Sequence, residues 1–222
     1  MDEATLKTIA AQLRQPTGTD GIETGERMNI GNHQINLDTI TALDLQPNDQ
    51  ILEIGMGNGH FVKEILDKDA TISYTGCDFS EDMINEALRR NQTYIESGRA
   101  QFIHTNAESI PVENNSFDKI FTINTLYFWE DVAATLREFQ RLLKTNGKLL
   151  VAIRPKKQMI HYPFVKYGFN LFSREEVENL LEENNFKVIQ SLENEESTQE
   201  RFGEKMLMEN LIVIAKKKEH EI

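Results

Sequence analysis

Residues 51–59 read Ile-Leu-Glu-Ile-Gly-Met-Gly-Asn-Gly, a short apolar run carrying Glu53, then a ladder of Gly55, Gly57 and Gly59 that leads into a helical segment. Glycine is required where the backbone takes positive φ or where a ligand must come closer than a Cβ permits. A helix that starts just after such a turn leaves unpaired N–H groups facing whatever sits there. The stretch therefore reads as a nucleotide-recognition turn, and the cofactor it accepts decides the function.

Outward from this turn the chain alternates short apolar runs with helical periodicity, the pattern of a parallel sheet flanked by helices. Strands are expected at 50–54, 71–77, 101–104, 117–123 and 148–153. A helix is expected after the N-capping Ser80, with acids in its first turn and Ile84, Ala87 and Leu88 at helical spacing. Another is expected over 131–143, with Val132, Leu136, Phe139, Leu142 and Leu143 on one face, stopping at Asn146-Gly147. Ser173-Arg174-Glu175-Glu176 forms a capping box for a helix to about Glu183, ended by Asn184-Asn185. Two β-rich runs, 187–192 and 211–215, follow around a polar, acidic stretch at 193–205, and antiparallel pairing is their simplest topology. Before the first strand, residues 1–49 hold a helix over 4–13, after which Gly18, Gly21 and Gly25 are expected to break any regular pattern.

Composition narrows the partners. A chain of 222 residues with a formal charge of −12 fits one large domain, and its acidity argues against a nucleic-acid partner. The longest apolar runs are strand-sized, so no membrane span is expected, and the first residues lack a positive-then-apolar leader pattern; a cytoplasmic protein is the expectation. Cys77 stands alone and no histidine pair has H-x-x-x-H spacing, so neither an internal disulfide nor a metal site is expected.

Three features fall at consecutive strand ends: Glu53-x-Gly55-x-Gly57-x-Gly59, Asp78, and Asn106-Ala107-Glu108. Ligands of open α/β sheets bind at those carboxyl ends. The order and spacing resemble the class I S-adenosylmethionine-dependent methyltransferases, in their small-molecule branch with a D-A-x-x-[LI]-P pattern, matched here by Asn106-Ala107-Glu108-Ser109-Ile110-Pro111. Phe117-Asp118-Lys119-Ile120 and the segment from Leu143 to Leu149 are similar to later motifs of that family. The nicotinamide-binding Rossmann proteins are the main rival, but their fingerprint is G-x-G-x-x-G, whereas here the third glycine comes one residue earlier and His60 follows. A catalytically silent cofactor-binding module acting through a partner is the other alternative.

The resemblance implies an α/β, Rossmann-like, doubly wound seven-stranded sheet, mostly parallel with an antiparallel C-terminal strand. It further implies a helical arm or cap over residues 1–49, and an S-adenosylmethionine-binding domain over 50–222 with an insertion near 154–172. By position, the glycine turn would lie beneath the methionine and ribose portion, with Glu53 supporting the ammonium directly or through water. Asp78 would accept both ribose hydroxyls. Phe79 and Met83 would line the adenine, Asn106, Ala107 and Glu108 would lie at its edge, and Asn124 would bound the methyl-transfer side. The family usually has Asp where Asn106 stands, so that contact loses its charge assistance.

A small-molecule acceptor, apolar or aromatic, is expected. Tyr127 and Trp129 after the fourth strand, with His161 and Tyr162 in the insertion, are the acceptor-side candidates, and Tyr127, His161 and Tyr162 are also the candidate bases. The aromatic segment 154–172 is expected to form a lid or pocket wall, and the N-terminal arm either folds over the cofactor or is a surface helix and linker.

Overall fold

The computed structural model describes residues 1–201 and 204–218. Its strands are Gln50–Ile54 (β1), Ser73–Asp78 (β2), Ala100–His104 (β3), Phe117–Ile123 (β4), Leu143–Ile153 (β5), Phe186–Arg201 (β6) and Glu204–Lys217 (β7). They form a seven-stranded sheet in the order β3-β2-β1-β4-β5-β7-β6. Pairing is parallel from β3 through β5 and antiparallel at β5/β7 and β6/β7. The chain steps outward from β1 to β3, then returns to place β4 on the other side of β1, so a crevice opens at the carboxyl ends of β1 and β4.

The period-2 alternation of each strand feeds two separate cores. Leu52, Ile120, Leu149, Val151 and Val213 pack on one face with Leu136 and Phe139 of Val132–Leu142 (α7) and Val177 and Leu181 of Arg174–Glu183 (α9). Their neighbours Ile51, Phe121, Leu150, Ala152 and Ile214 pack on the other with Ile35 and Ile40 of His33–Ala42 (α3) and Val62, Ile65 and Leu66 of Val62–Leu66 (α4). Each fully buried aliphatic or aromatic side chain contributes about 1.5–3 kcal/mol, so these two cores hold the strand ends in place. Helices Glu81–Arg90 (α5) and Gln92–Glu96 (α6) lead from β2 to β3. Ser80 caps α5 by accepting from the Met83 N–H, and Asp131 caps α7 through Ala134.

Several sequence expectations are revised. The glycine-containing stretch after Glu3–Arg14 (α1) is a helix, Gly18–Gly31 (α2), which packs on α5. A Cβ at Gly25 would stand 3.2 Å from the Met83 sulfur and 3.3 Å from the Asn58 amide nitrogen, so this glycine permits close helix approach rather than breaking the helix.

Helix α7 ends at Leu142, and Leu143 is already extended, so the two leucines divide between helix and strand although both are wholly buried. Asn146-Gly147 thus lies inside β5, where the register with β4 shifts between Phe117 and Lys119.

The acidic stretch expected to separate the last two strands is itself paired, Asn194 with Asn210 and Thr198 with Leu207, as a hairpin that runs beyond the five-stranded parallel part. Backbone pairing needs no apolar side chains, which is why composition concealed it. Residues 154–172 contain the short helix Lys156–Met159 (α8) and bury Met159 and Tyr162 in the α7/α9 core. Phe128 and Phe169 meet edge to face at 4.6 Å, so the aromatics here cover the core.

Candidate functional site

The glycine turn is stitched to the end of β2. The Gly55 N–H donates to the Cys77 carbonyl at 2.8 Å, and the Gly57 N–H donates to an Asp78 carboxylate oxygen at 2.9 Å. Both glycines hold positive φ, +70° and +59°. A Cβ on Gly55 would fall 2.3 Å from the Thr125 methyl, while one on Gly57 would meet open space. Gly59 serves the scaffold: a Cβ there would fall 2.9 Å from the Ala87 Cβ of α5 and 2.8 Å from the amide nitrogen of Asn91, which caps that helix.

Two carboxylates are buried at this turn. Glu53 is 6% exposed and accepts from the Tyr74 hydroxyl at 2.5 Å. Burial pushes its carboxyl up to about 7, with the Tyr74 hydrogen bond opposing and the charge of Asp78 adding to the rise. Asp78 is 7% exposed and accepts from the Gly57 and Ser80 N–H groups. Burial raises it to about 6, against the backbone hydrogen bonds that favour its charge. These are two neighbouring carboxylates in one crevice, each costly to ionise without a cation or a hydrogen-bond donor from a ligand.

After β3, the Asn106 side-chain oxygen accepts from the N–H groups of Glu108 and Ser109, each at 3.2 Å. With the oxygen bonded within this turn, the side chain keeps its NH2 as a donor. After β4, Asn124 sits at φ +57°. It accepts from the Arg154 N–H and the Tyr127 hydroxyl, and donates to Asn32 at 3.3 Å.

These strand ends and the N-terminal helices enclose a cavity of about 400 Å³. Glu53, Gly55, Gly57, Asp78, Phe79, Met83, Asn106, Ala107, Glu108, Asn124 and Trp129 line it. Gly59, Tyr127, His161 and Tyr162 do not. Tyr127 is buried with its hydroxyl bonded to Asn124 and the Arg154 backbone, and burial drives its phenol far up. Tyr162 lies in the core with its hydroxyl toward the Met208 sulfur, and His161 is exposed. Segment 154–172 contributes no residue to the lining, so its expected role as a lid or pocket wall is replaced by core packing.

The arm supplies a further part of the wall: Leu13, Pro16, Gly25, Met28, Asn29, Asn32 and Asn36, to which sequence reading gave no individual role. The helical spacing of 25, 29, 32 and 36 was the available signal, hidden by the glycines. The arm is anchored where Ser80 donates to the Pro16 carbonyl, where the Gly18 N–H donates to Asp82 at 2.8 Å, and where Gln15 reaches the Phe79 carbonyl at 3.2 Å. Arg14 pairs with Glu130 across the cavity. Among the described residues no cluster of His, Cys, Asp or Glu could hold a metal ion, and no helix is long and apolar enough to cross a membrane.

The family model described as "Methyltransferase domain" matches residues 52–151, from β1 through most of β5. YrhH of Bacillus subtilis, which bears a methyltransferase name, is 33% identical over 114 residues, 51% of this chain and 62% of that protein. The ubiquinone/menaquinone biosynthesis C-methyltransferase UbiE of Rickettsia prowazekii is 30% identical over 150 residues, 65% of this chain and 60% of that protein. The chain thus spans less than two thirds of the length of either relative. A solved S-adenosylmethionine-dependent methyltransferase from Aquifex aeolicus superposes with a TM-score of 0.69 at 17% identity, covering 87% of this chain and 96% of that one, a likeness of fold. Strand order, glycine turn and matched region agree: residues 52–151 match a methyltransferase domain, carried on a fold shared with a solved S-adenosylmethionine-dependent methyltransferase.

Proposed function

We propose that the chain transfers a methyl group from S-adenosylmethionine to a small-molecule acceptor, and that the arm-covered cavity holds both. The observation that carries this reading is the pair of buried carboxylates, Glu53 and Asp78, flanking a glycine turn that leaves room beside Gly57. A ligand that brings an ammonium to one carboxylate and a diol to the other relieves the desolvation of both. Glu53 takes the ammonium and Asp78 the ribose hydroxyls. Phe79 and Met83 flank the adenine, and Ala107, Glu108 and the Asn106 NH2 lie at its edge. Asn124 and Trp129 stand on the side from which an acceptor approaches.

When bound, S-adenosylmethionine supplies a sulfonium methyl; an acceptor lone pair forms the new bond while the sulfur keeps the electrons of the old one. The chain's own task is positioning and exclusion of water, and orientation of this kind is worth up to about 7–11 kcal/mol in favourable cases. The arm contributes by packing over Phe79 and Ser80 through Gln15 and Pro16. Among the described lining residues there is no histidine, tyrosine or lysine, so Tyr127, His161 and Tyr162 are not proposed as bases. An acceptor that needs deprotonation is left with Glu108, Glu130 or water. The share of each chain that aligns with UbiE, whose name states a small-molecule pathway, supports an acceptor of this size class.

Calorimetric titration with S-adenosylhomocysteine tests the cofactor half, with binding expected and its loss expected in Asp78→Ala. A dinucleotide giving heat where S-adenosylhomocysteine gives none would reverse the reading. The acceptor half is tested by transfer of labelled methyl into a small-molecule extract, with label in the small-molecule fraction expected and label confined to protein or nucleic acid against it.

A further inference from the structure

Six of the described cavity-lining residues are asparagines, Asn29, Asn32, Asn36, Asn58, Asn106 and Asn124. Four of them form one wall. Asn29, Asn32 and Asn36 follow one another along the face shared by α2 and α3, and Asn124 faces them from the end of β4, donating to Asn32. In the strand order this wall lies on the β4 side of the glycine turn, away from Asp78, Phe79 and Asn106 at the ends of β2 and β3. Asn58, 3% exposed, stands between the two groups beside Gly25, and no hydrogen bond joins its side chain to another described residue. Met28, Phe61 and Phe128 complete the lining near this wall.

Charge is distributed differently. The lining carboxylates are Glu53, Asp78, Glu108 and Glu130, and the lone cation among the described lining residues, Arg14, is paired with Glu130. An anionic acceptor would enter a cavity of carboxylates and find no free cation, leaving a buried charge unpaired. A cationic acceptor would be pressed against a sulfonium. Primary amides satisfy a neutral group from both sides, because each offers two donors and an acceptor.

Resting on the proposed function and deepening it, we propose that the Asn29–Asn32–Asn36–Asn124 wall is the acceptor subsite and that it selects an uncharged acceptor, one with an amide, carbonyl or hydroxyl group on an apolar body. The amides bond the polar group and fix its register, while Met28, Phe61 and Phe128 hold the body. Asn36 is the specificity-determining position, since its buried side chain is spent only in part, on the Asn32 carbonyl at 2.7 Å.

Side-chain amide resonances give a direct test on the full ¹⁵N-labelled chain saturated with S-adenosylhomocysteine. Benzamide and phenol serve as neutral probes, benzoate and phenyl phosphate as anionic ones, and benzylamine as the cationic one. The neutral probes are expected to shift the Asn32 and Asn36 amide signals, binding about tenfold tighter than the charged probes. Asn36→Leu is expected to abolish the shift while S-adenosylhomocysteine affinity stays within about twofold, with Asn29→Leu as the second variant should the first fail to fold. Benzoate or phenyl phosphate binding as tightly as benzamide overturns the inference, as does a set of neutral probes that leaves those amides unmoved. The Gly55 and Gly57 backbone amides report the cofactor independently. If S-adenosylhomocysteine leaves them still, the proposed function falls; if it moves them and the asparagines ignore every neutral probe, only the present inference falls.

Discussion

The Tyr74 hydroxyl donates to Glu53 at 2.5 Å inside the sheet, from β2 to β1 beneath the glycine turn. This hydrogen bond holds down a carboxyl that burial pushes up to about 7, so the charge state of Glu53 changes near neutrality. A carboxyl whose folded value is raised contributes stability that is fully present below its unfolded value and lost as pH rises through the folded one. For Glu53 that window runs from about 4.5 to 7, and for Asp78 from about 3.8 to 6. The ligand-free protein is therefore expected to melt at lower temperature as pH rises from 4 to 7. Binding of S-adenosylhomocysteine runs the other way, weakening below pH 7 by up to about tenfold per unit as the ammonium loses its carboxylate. Calorimetry at several pH values, in buffers of different ionisation enthalpy, reads both the affinity and the linked proton. Tyr74→Phe moves the binding profile to higher pH and costs about 1–3 kcal/mol of stability; a profile left in place would show that the hydroxyl does not tune Glu53.

Asp78→Asn separates fold from function. The raised carboxyl shows that its charge burdens the folded state, and an asparagine retains an acceptor for the Gly57 or Ser80 N–H. The expected outcome at pH 8 is a melting temperature equal to or above that of the parent, with S-adenosylhomocysteine affinity lowered by tenfold or more, about 1.4 kcal/mol. Unfolding of the variant, or affinity unchanged, would place the role of Asp78 in the turn rather than at a ligand.

Gly55 and Gly57 share positive φ but differ in what surrounds them. Gly57→Ala adds only the left-handed backbone penalty, about 1–2 kcal/mol, and its methyl enters the open space where the cofactor is proposed to lie. Gly55→Ala drives a methyl into Thr125 as well. Denaturant melts should therefore rank Gly55→Ala as the more destabilised, while titration shows Gly57→Ala folded and impaired in binding.

The residues proposed to hold the cofactor stand out in the sequence because their signals are local. Glu53, the glycine turn, Asp78 and Asn106 each end a strand, and period-2 apolar runs mark strands well. The proposed acceptor wall does not stand out, because it is assembled from α2 and α3, which reach β4 only through tertiary packing. Gly21 and Gly25 lower helix propensity by about 1 kcal/mol each, and packing on α5 overrides that preference, so a local reading breaks the helix that carries Met28 and Asn29. The aromatic insertion misled in the opposite sense. Tyr162 and Phe169 are apolar enough for a pocket wall, yet aromatic content alone does not distinguish a wall from the cover of a core. For the hairpin, the concealed feature was a buried ion pair joining Glu196 of β6, a strand too polar to be read as such, to Arg154 just past β5.

That pair, Arg154 with Glu196, sits at the junction of the arm, the sheet and the hairpin. One Arg154 nitrogen donates to Glu196 at 2.6 Å and to the Glu209 carbonyl at 2.9 Å, and the other reaches the Gly31 carbonyl at the end of α2 at 3.2 Å. Asn210 donates to Glu196 and to Asp38 of α3, so the hairpin is fastened to α3 directly and to α2 through Arg154. The second Glu196 oxygen is buried with no hydrogen-bond partner. Removing Arg154 strands the Glu196 charge, so Arg154→Leu is expected to cost about 3–5 kcal/mol, the range for breaking a buried pair from one side. The double variant Arg154→Leu with Glu196→Leu removes both charges and should recover most of that loss, since an apolar replacement of a buried pair is often neutral. Because the Gly31 carbonyl also loses its donor, both variants should release the arm, seen as faster hydrogen exchange across α2 and faster dissociation of S-adenosylhomocysteine. Denaturant melts of the single and double variants measure the coupling, and equal losses in both would show that Arg154 stabilises through its carbonyl contacts rather than through Glu196.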